Sequence, residues 1–189
     1  MEIVVLRHGK PKIADSREVV SAFEFGHWVD AYSIAGIDNS HPPPVDSVSK
    51  ANTCKYVVCS DLPRAIESVA ALLVRCAVEQ DPLFRECEMP YTKWRVLKLP
   101  VAAWSIAFRF LHILGFSREV ESFKEARERA GCCVARLNIL AQEHESVLLV
   151  GHGALNWLIS RKLIQGGWVA QRRASGGYWS YVVFHRGAT

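Results

Sequence analysis

Three short apolar runs, each ending abruptly in a polar turn, constrain this chain most. Ile3-Val4-Val5-Leu6 runs into Arg7-His8-Gly9-Lys10, and Tyr56-Val57-Val58-Cys59 runs into Ser60-Asp61-Leu62-Pro63-Arg64. Val147-Leu148-Leu149-Val150 runs into Gly151-His152-Gly153. Unbroken apolar runs of this length read as strands buried on both faces. Helical periodicity fills the stretches between them. Alternating strands and helices predict an α/β fold, a three-layer α/β/α sandwich around a mostly parallel mixed sheet. Such a sheet presents its ligand-binding groups at strand tips. The three tips would then carry two histidines and two arginines to one face: His8, His152, Arg7 and Arg64.

A chain of 189 residues, half of them apolar and 22% charged, is expected to form a single domain over 1–189 with a core of its own. Its net charge of +4 is spread along the sequence, with no basic stripe to bind nucleic acid. Six cysteines include no C-x-x-C pair, which argues against a metal site. With no signal peptide at Met1, the expectation is a cytoplasmic protein with reduced thiols. The most apolar window, Val101 to Gly115, contains Arg109 and His112 and falls short of the roughly 20 residues that a bilayer span needs. No membrane partner is expected.

Between the tips, Asp15 to Tyr32 reads as a helix capped by Asp15 or Ser16 and stopped by Gly36. Asp38 to Pro44, with three successive prolines, is a stiff connection. A helix starts near Asp61 with Leu62, Ile66, Val69, Leu72, Leu73 and Cys76 on one face and Pro63 in its first turn. Arg64 shares that turn, where open N–H groups would face the same anion. Asp81 to Pro90 is an extended piece bearing Glu86 and Glu88. Tyr91 to Phe116, rich in Trp and Phe, is expected to be a helical insertion. It either packs on the core or caps the site, with some of its cations, Lys93, Arg95, Lys98 and Arg109, facing substrate. Ser117 to Gln142 is a long helix with a capping box offered by Ser122 and Glu125. Leu155 to Gln165 is a helix, and Tyr178 to Phe184 a final strand.

The polar set suits phosphoryl transfer. Imidazole nitrogen can accept a phosphoryl group and pass it to water. Guanidinium gives a tetrahedral oxyanion two parallel charged hydrogen bonds. His8 must be neutral to attack, and Arg7 and Arg64 beside it would oppose its protonation. The leaving oxygen needs a proton, for which Glu86 and Glu88 are the candidates.

R-H-G after an N-terminal strand, S-x-x-x-R-A-x-x-[ST] after the next and G-H-G after a late strand together resemble the histidine phosphatase superfamily, which includes the cofactor-dependent phosphoglycerate mutases. The residues are Arg7, His8 and Gly9; Ser60, Arg64, Ala65 and Ser68; Gly151, His152 and Gly153. Phe84-Arg85-Glu86 is similar to the family's L-x-E element. The resemblance implies that His8 is the phosphorylated nucleophile and that Arg7, Arg64 and His152 bind the phosphoryl group. It implies that Glu86 is the acid that later acts as base, and that no metal or organic cofactor takes part. Gly9, Ser60 and Lys10 join the substrate-binding set. Lys10 departs from the family's usual Thr, Glu or Gln, the proline run replaces an L-T-x-x-G pattern, and Glu88 competes with Glu86.

The expected activity is hydrolysis of a small phosphorylated substrate, a phosphomonoester. A phosphoglycerate mutase-type phosphoryl transferase ranks second, because the chain lacks additional segments associated with that branch. A non-catalytic protein on the same fold ranks third, with the Val101 to Gly115 surface serving a partner or a homodimer.

Overall fold

Residues Glu2–Arg7 form β1, near the middle of a six-stranded sheet. A computed structural model describes residues 1–13, 17–172 and 177–187. β1 pairs in parallel with β6 (Ser146–Gly151), β6 with β3 (Tyr56–Cys59), and β3 with β4 (Ala77–Gln80). On its other side β1 pairs antiparallel with β8 (Tyr181–His185), which pairs antiparallel with β7 (Val169–Arg172). The sheet is thus mixed and mostly parallel, with only β8 running against the rest.

Period-2 alternation divides each central strand between two cores. Ile3, Val5, Val147 and Leu149 pack with α5 (Phe123–His144) and α6 (Gly153–Gln165). Val4, Leu6, Leu148 and Val150 pack on the other face with α2 (Val45–Ala51) and α3 (Pro63–Ala71). All eight are at most 3% exposed, which is why the runs contain no polar residue. The long helix begins where the capping box placed it. Ser122 Oγ accepts the Glu125 N–H at 3.2 Å, and Glu125 accepts the Ser122 N–H at 2.8 Å.

A third, smaller core lies apart from the sheet. A two-stranded ribbon, β2 (Val19–Ser21) against β5 (Lys98–Pro100), ties α1 (Ala22–Ile34) to α4 (Val101–Ile113). Phe25 stacks on Phe108 with centroids 5.5 Å apart, and Trp104 Nε1 donates to the Val20 carbonyl at 2.8 Å. Among the described residues no helix is long and apolar enough to cross a membrane.

The structure differs from expectation in four places. The first helix starts at Ala22 rather than near Asp15. Ser21 and Glu24 make a reciprocal capping box, and the β-branched Val19 and Val20 are drawn into the ribbon; Asp15 and Ser16 lie outside the described residues. That helix ends on Ala35, one residue before Gly36. The buried face of α3 is Ala65, Ser68 and Val69, while Leu73 lies past its end, 71% exposed, with φ at 52°. Tyr91–Phe116 holds one helix and one short strand, and the last strand starts at Tyr181, leaving Tyr178 in the turn before it.

Candidate active site

Register brings the three tips level. Arg7 lies opposite Gly151, and Cys59 opposite Val150. The next backbone links hold the tips together: the His8 N–H donates to the Gly151 carbonyl at 3.0 Å, and the Ser60 N–H to that of Val150 at 3.3 Å. His8 and His152 therefore emerge side by side, their ring centroids 5.0 Å apart and their planes at 58°. Both are fully buried.

His8 Nδ1 lies 2.7 Å from the Gly9 carbonyl. A carbonyl only accepts, so Nδ1 carries the proton and Nε2 keeps its lone pair. That Nε2 is buried and bonded to no described group. Burial, reinforced by His152 and Arg64, holds the His8 imidazole well below the usual histidine range, so the ring is neutral. His152 caps α6, and burial, with Arg64 and Arg7 nearby, likewise depresses it well below the ordinary value. Neither of its ring nitrogens meets a described partner.

The loop around His8 is fixed from two sides. The Gly9 N–H donates to Ser68 Oγ at 2.8 Å, and Ser68 Oγ donates to the Arg64 carbonyl at 2.5 Å. A Cβ at Gly9 would fall 2.3 Å from the Trp179 ring, so only glycine lets that indole support the turn. Ser60 Oγ accepts the Leu62 N–H at 3.2 Å, which builds the turn into α3.

Pro63 fills the first position of α3, and Arg64 follows it. The Arg64 guanidinium is 2% exposed and donates to the Tyr32 and Ser33 carbonyls at 3.0 and 3.2 Å. Among the described residues its Nε is buried without a partner, and no carboxylate lies within ion-pair distance. A cation buried on carbonyls alone is costly unless an anion completes it. The Arg64 Cζ stands 4.5 Å over the Tyr32 ring, and the Arg7 Cζ 4.4 Å over that of Tyr178. The Tyr178 ring also lies 5.8 Å from that of His8.

Glu86 reaches the same helix terminus that His152 opens. Its Oε1 accepts the N–H groups of Leu155 at 3.1 Å and Cys87 at 2.9 Å, and its Oε2 that of Ala154 at 3.4 Å. Arg129 pins the loop before it by donating to the Leu83 and Arg85 carbonyls, each at 2.8 Å. Glu88 lines the adjoining cavity. Burial pushes the Cys87 thiol up to about 12, which keeps this close neighbour of Glu86 from acting as a thiolate nucleophile.

The cavity has a volume of about 1660 Å³, with Arg7, Lys10, Arg64, Glu86 and Tyr178 in its wall. Lys10 Nζ lies 3.3 Å from His41 Nε2 and 3.8 Å from Asp38 Oδ2. Lys93 also lines the cavity, whereas Arg95 stacks on Phe23 at 4.0 Å and Lys98 lies in β5. Sequence reasoning passed over Tyr32 and Tyr178, both in the cavity wall, where Arg109, one of the cations of the 91–116 insertion, also lies. No local pattern marks a tyrosine that stacks on an arginine from another segment.

A sequence model of the histidine phosphatase superfamily (branch 1) matches residues 46–188, a span that holds Arg64, Glu86 and His152. No curated protein matches the chain. Among solved structures, mycobacterial hydrolase 2 superposes with a TM-score of 0.64 at 18% identity, covering 96% of this chain and 80% of that one. Mycobacterial glucosyl-3-phosphoglycerate phosphatase gives 0.60 at 20% identity, covering 96% and 88%. YhfR of Bacillus stearothermophilus gives 0.59 at 18%, covering 87% and 80%. These likenesses establish the shared fold.

Proposed function

The chain belongs to the histidine phosphatase superfamily, and from that premise we propose that it is a phosphomonoesterase working through a phosphohistidine on His8. The observation that carries this reading is His8 Nε2, a lone pair held neutral and unpartnered beside His152.

The phosphoryl oxygens lie among Arg7, Arg64 and His152: the two guanidinium groups neutralise charge that the three equatorial oxygens carry through the transfer, and neutral His152 offers a ring N–H. His8 Nε2 attacks phosphorus. The Nε2–P bond forms as the P–O bond to the alcohol breaks, and the Glu86 carboxyl gives its proton to the departing oxygen. The Gly9 carbonyl, on Nδ1–H, supports the positive charge that grows on the ring. In the second half a water attacks phosphorus and yields a proton to Glu86. The N–P bond then breaks, restoring neutral His8 and releasing phosphate.

Hydrolysis is favoured over return of the phosphoryl group to substrate because Arg7, Arg64 and Glu86 line a cavity wide enough to admit water beside the site. The test is 4-nitrophenyl phosphate with native and His8→Ala protein, followed by trapping of an acid-labile, alkali-stable phosphoenzyme. The native protein is expected to release phosphate and the variant to lose about 10³-fold or more. Equal rates, or a native protein that neither turns over nor becomes labelled, would overturn the reading. Interconversion of phosphoglycerates with little phosphate release would replace it with the mutase reading.

A further inference from the structure

Helix α4 is apolar on two sides. Val101, Trp104 and Phe108 face the small core, whereas Ile106, Phe110 and Ile113, at i, i+4 and i+7, are 73, 61 and 48% exposed. A helix stripe turned to solvent is ordinarily polar, and a contiguous exposed apolar patch marks a surface with something to bind. This stripe lies in the wall of the cavity that Arg7, Arg64 and Glu86 also line. From α1, Trp28 and Ile34 add to the same wall, Ile34 at 77% exposure. At about 1660 Å³ the space exceeds the roughly 300–1,000 Å³ common for small-ligand sites.

We infer that the substrate is an amphiphilic phosphomonoester whose extended apolar alcohol lies along Ile106, Phe110 and Ile113 while its phosphate meets His8. This rests on the phosphomonoesterase reading and names the leaving-group class for it. The continuity of stripe and cationic pocket selects this occupant over a second copy of the chain. Arg109, held on the Cys87 carbonyl at 3.3 Å, shares the wall with the stripe. A cation there suits the polar head end of such an ester.

The test is a series of alkyl monophosphates, ethyl through octyl, each below its micellar concentration, assayed for phosphate release. Burying one methylene is worth up to about fourfold, so a partly covered chain should raise kcat/KM at least about tenfold from ethyl to octyl, mainly through KM. Ile106→Asp and Phe110→Asp, both at exposed positions, should collapse the octyl-to-ethyl ratio towards one. Binding of octylphosphonate and ethylphosphonate to His8→Ala protein reads the same preference without turnover, and octyl should bind at least tenfold tighter. His8-dependent hydrolysis with no chain-length preference would overturn this inference and leave the phosphomonoesterase reading standing. Tail-selective binding without any His8-dependent turnover would overturn that reading and keep the apolar groove. A self-association that Ile106→Asp abolishes, with the octyl-to-ethyl ratio untouched, would make the stripe an interface and overturn the inference.

Discussion

The carboxylate of Glu86 accepts the backbone N–H of Leu155 at 3.1 Å, so it sits on the first turn of the helix that His152 caps. The proposed proton donor and the proposed phosphate-binding imidazole are thereby referred to one rigid element. Glu86→Gln keeps an oxygen for the Leu155 N–H but removes the transferable proton. It should slow alkyl phosphates by about 10²–10⁴-fold and 4-nitrophenyl phosphate far less, since nitrophenolate departs unaided. A leaving-group series measured on both proteins checks this, and an equal loss across the series would move the role to Glu88.

Arg64 is buried on two carbonyls with no described carboxylate within ion-pair distance. Arg64→Met should therefore change the stability of the ligand-free protein by less than about 1 kcal/mol, or raise it, because a buried cation without an ion-pair partner is replaced by a side chain of similar volume. Its kcat/KM should fall by about 10²–10³-fold. Inorganic phosphate at 100 times its Kd should stabilise the native protein by about 2.7 kcal/mol and the variant much less. Thermal melts with and without phosphate give both numbers, and a loss beyond about 3 kcal/mol without phosphate would show Arg64 to be structural.

Histidines 8 and 152 are both depressed well below their ordinary value, chiefly by burial. In the unfolded chain they take up protons near pH 6.5 while the folded ones stay neutral. The unfolded state then binds more protons, so these residues make stability fall as pH drops from about 6.5 towards their lowered folded pKa values. Each contributes up to about 1.4 kcal/mol per pH unit in that window. Denaturant melts from pH 7 to 5 should show a slope that shallows in His152→Asn. The acid limb of kcat/KM for the native protein should lie below 6.5, since His8 remains a free base there.

Phe108 is 2% exposed and stacks between Phe25 and Trp104 in the core away from the sheet. Phe108→Ala should cost about 3–5 kcal/mol. Hydrogen exchange should locate the loosening in α1, α4 and the ribbon between them, leaving β1 and β6 protected. Uniform loss of protection would mean that the small core and the sheet unfold as one unit.

The sheet's centre was legible because strands covered on both faces admit no polar residue, as Ile3–Leu6 and Val147–Val150 show. Its margins were not. Ala77–Gln80 and Val169–Arg172 are edge strands whose composition barely differs from a loop, and Val19–Ser21 acquires strand form only by meeting Lys98–Pro100. The three strand tips could be aligned from sequence since each motif follows its strand directly. Which carboxylate reaches α6 could not, because that depends on the path of the loop Arg129 holds. Nor could the stacking of Tyr32 on Arg64 or Tyr178 on Arg7, where each pair joins distant segments.

The guanidinium enclosed at the start of α3 has one more effect. On the proposed function, a pocket preassembled for a tetrahedral dianion would also hold the liberated inorganic ion. Such an enzyme would be slowed by its own product, and its throughput would fall as ambient orthophosphate rises.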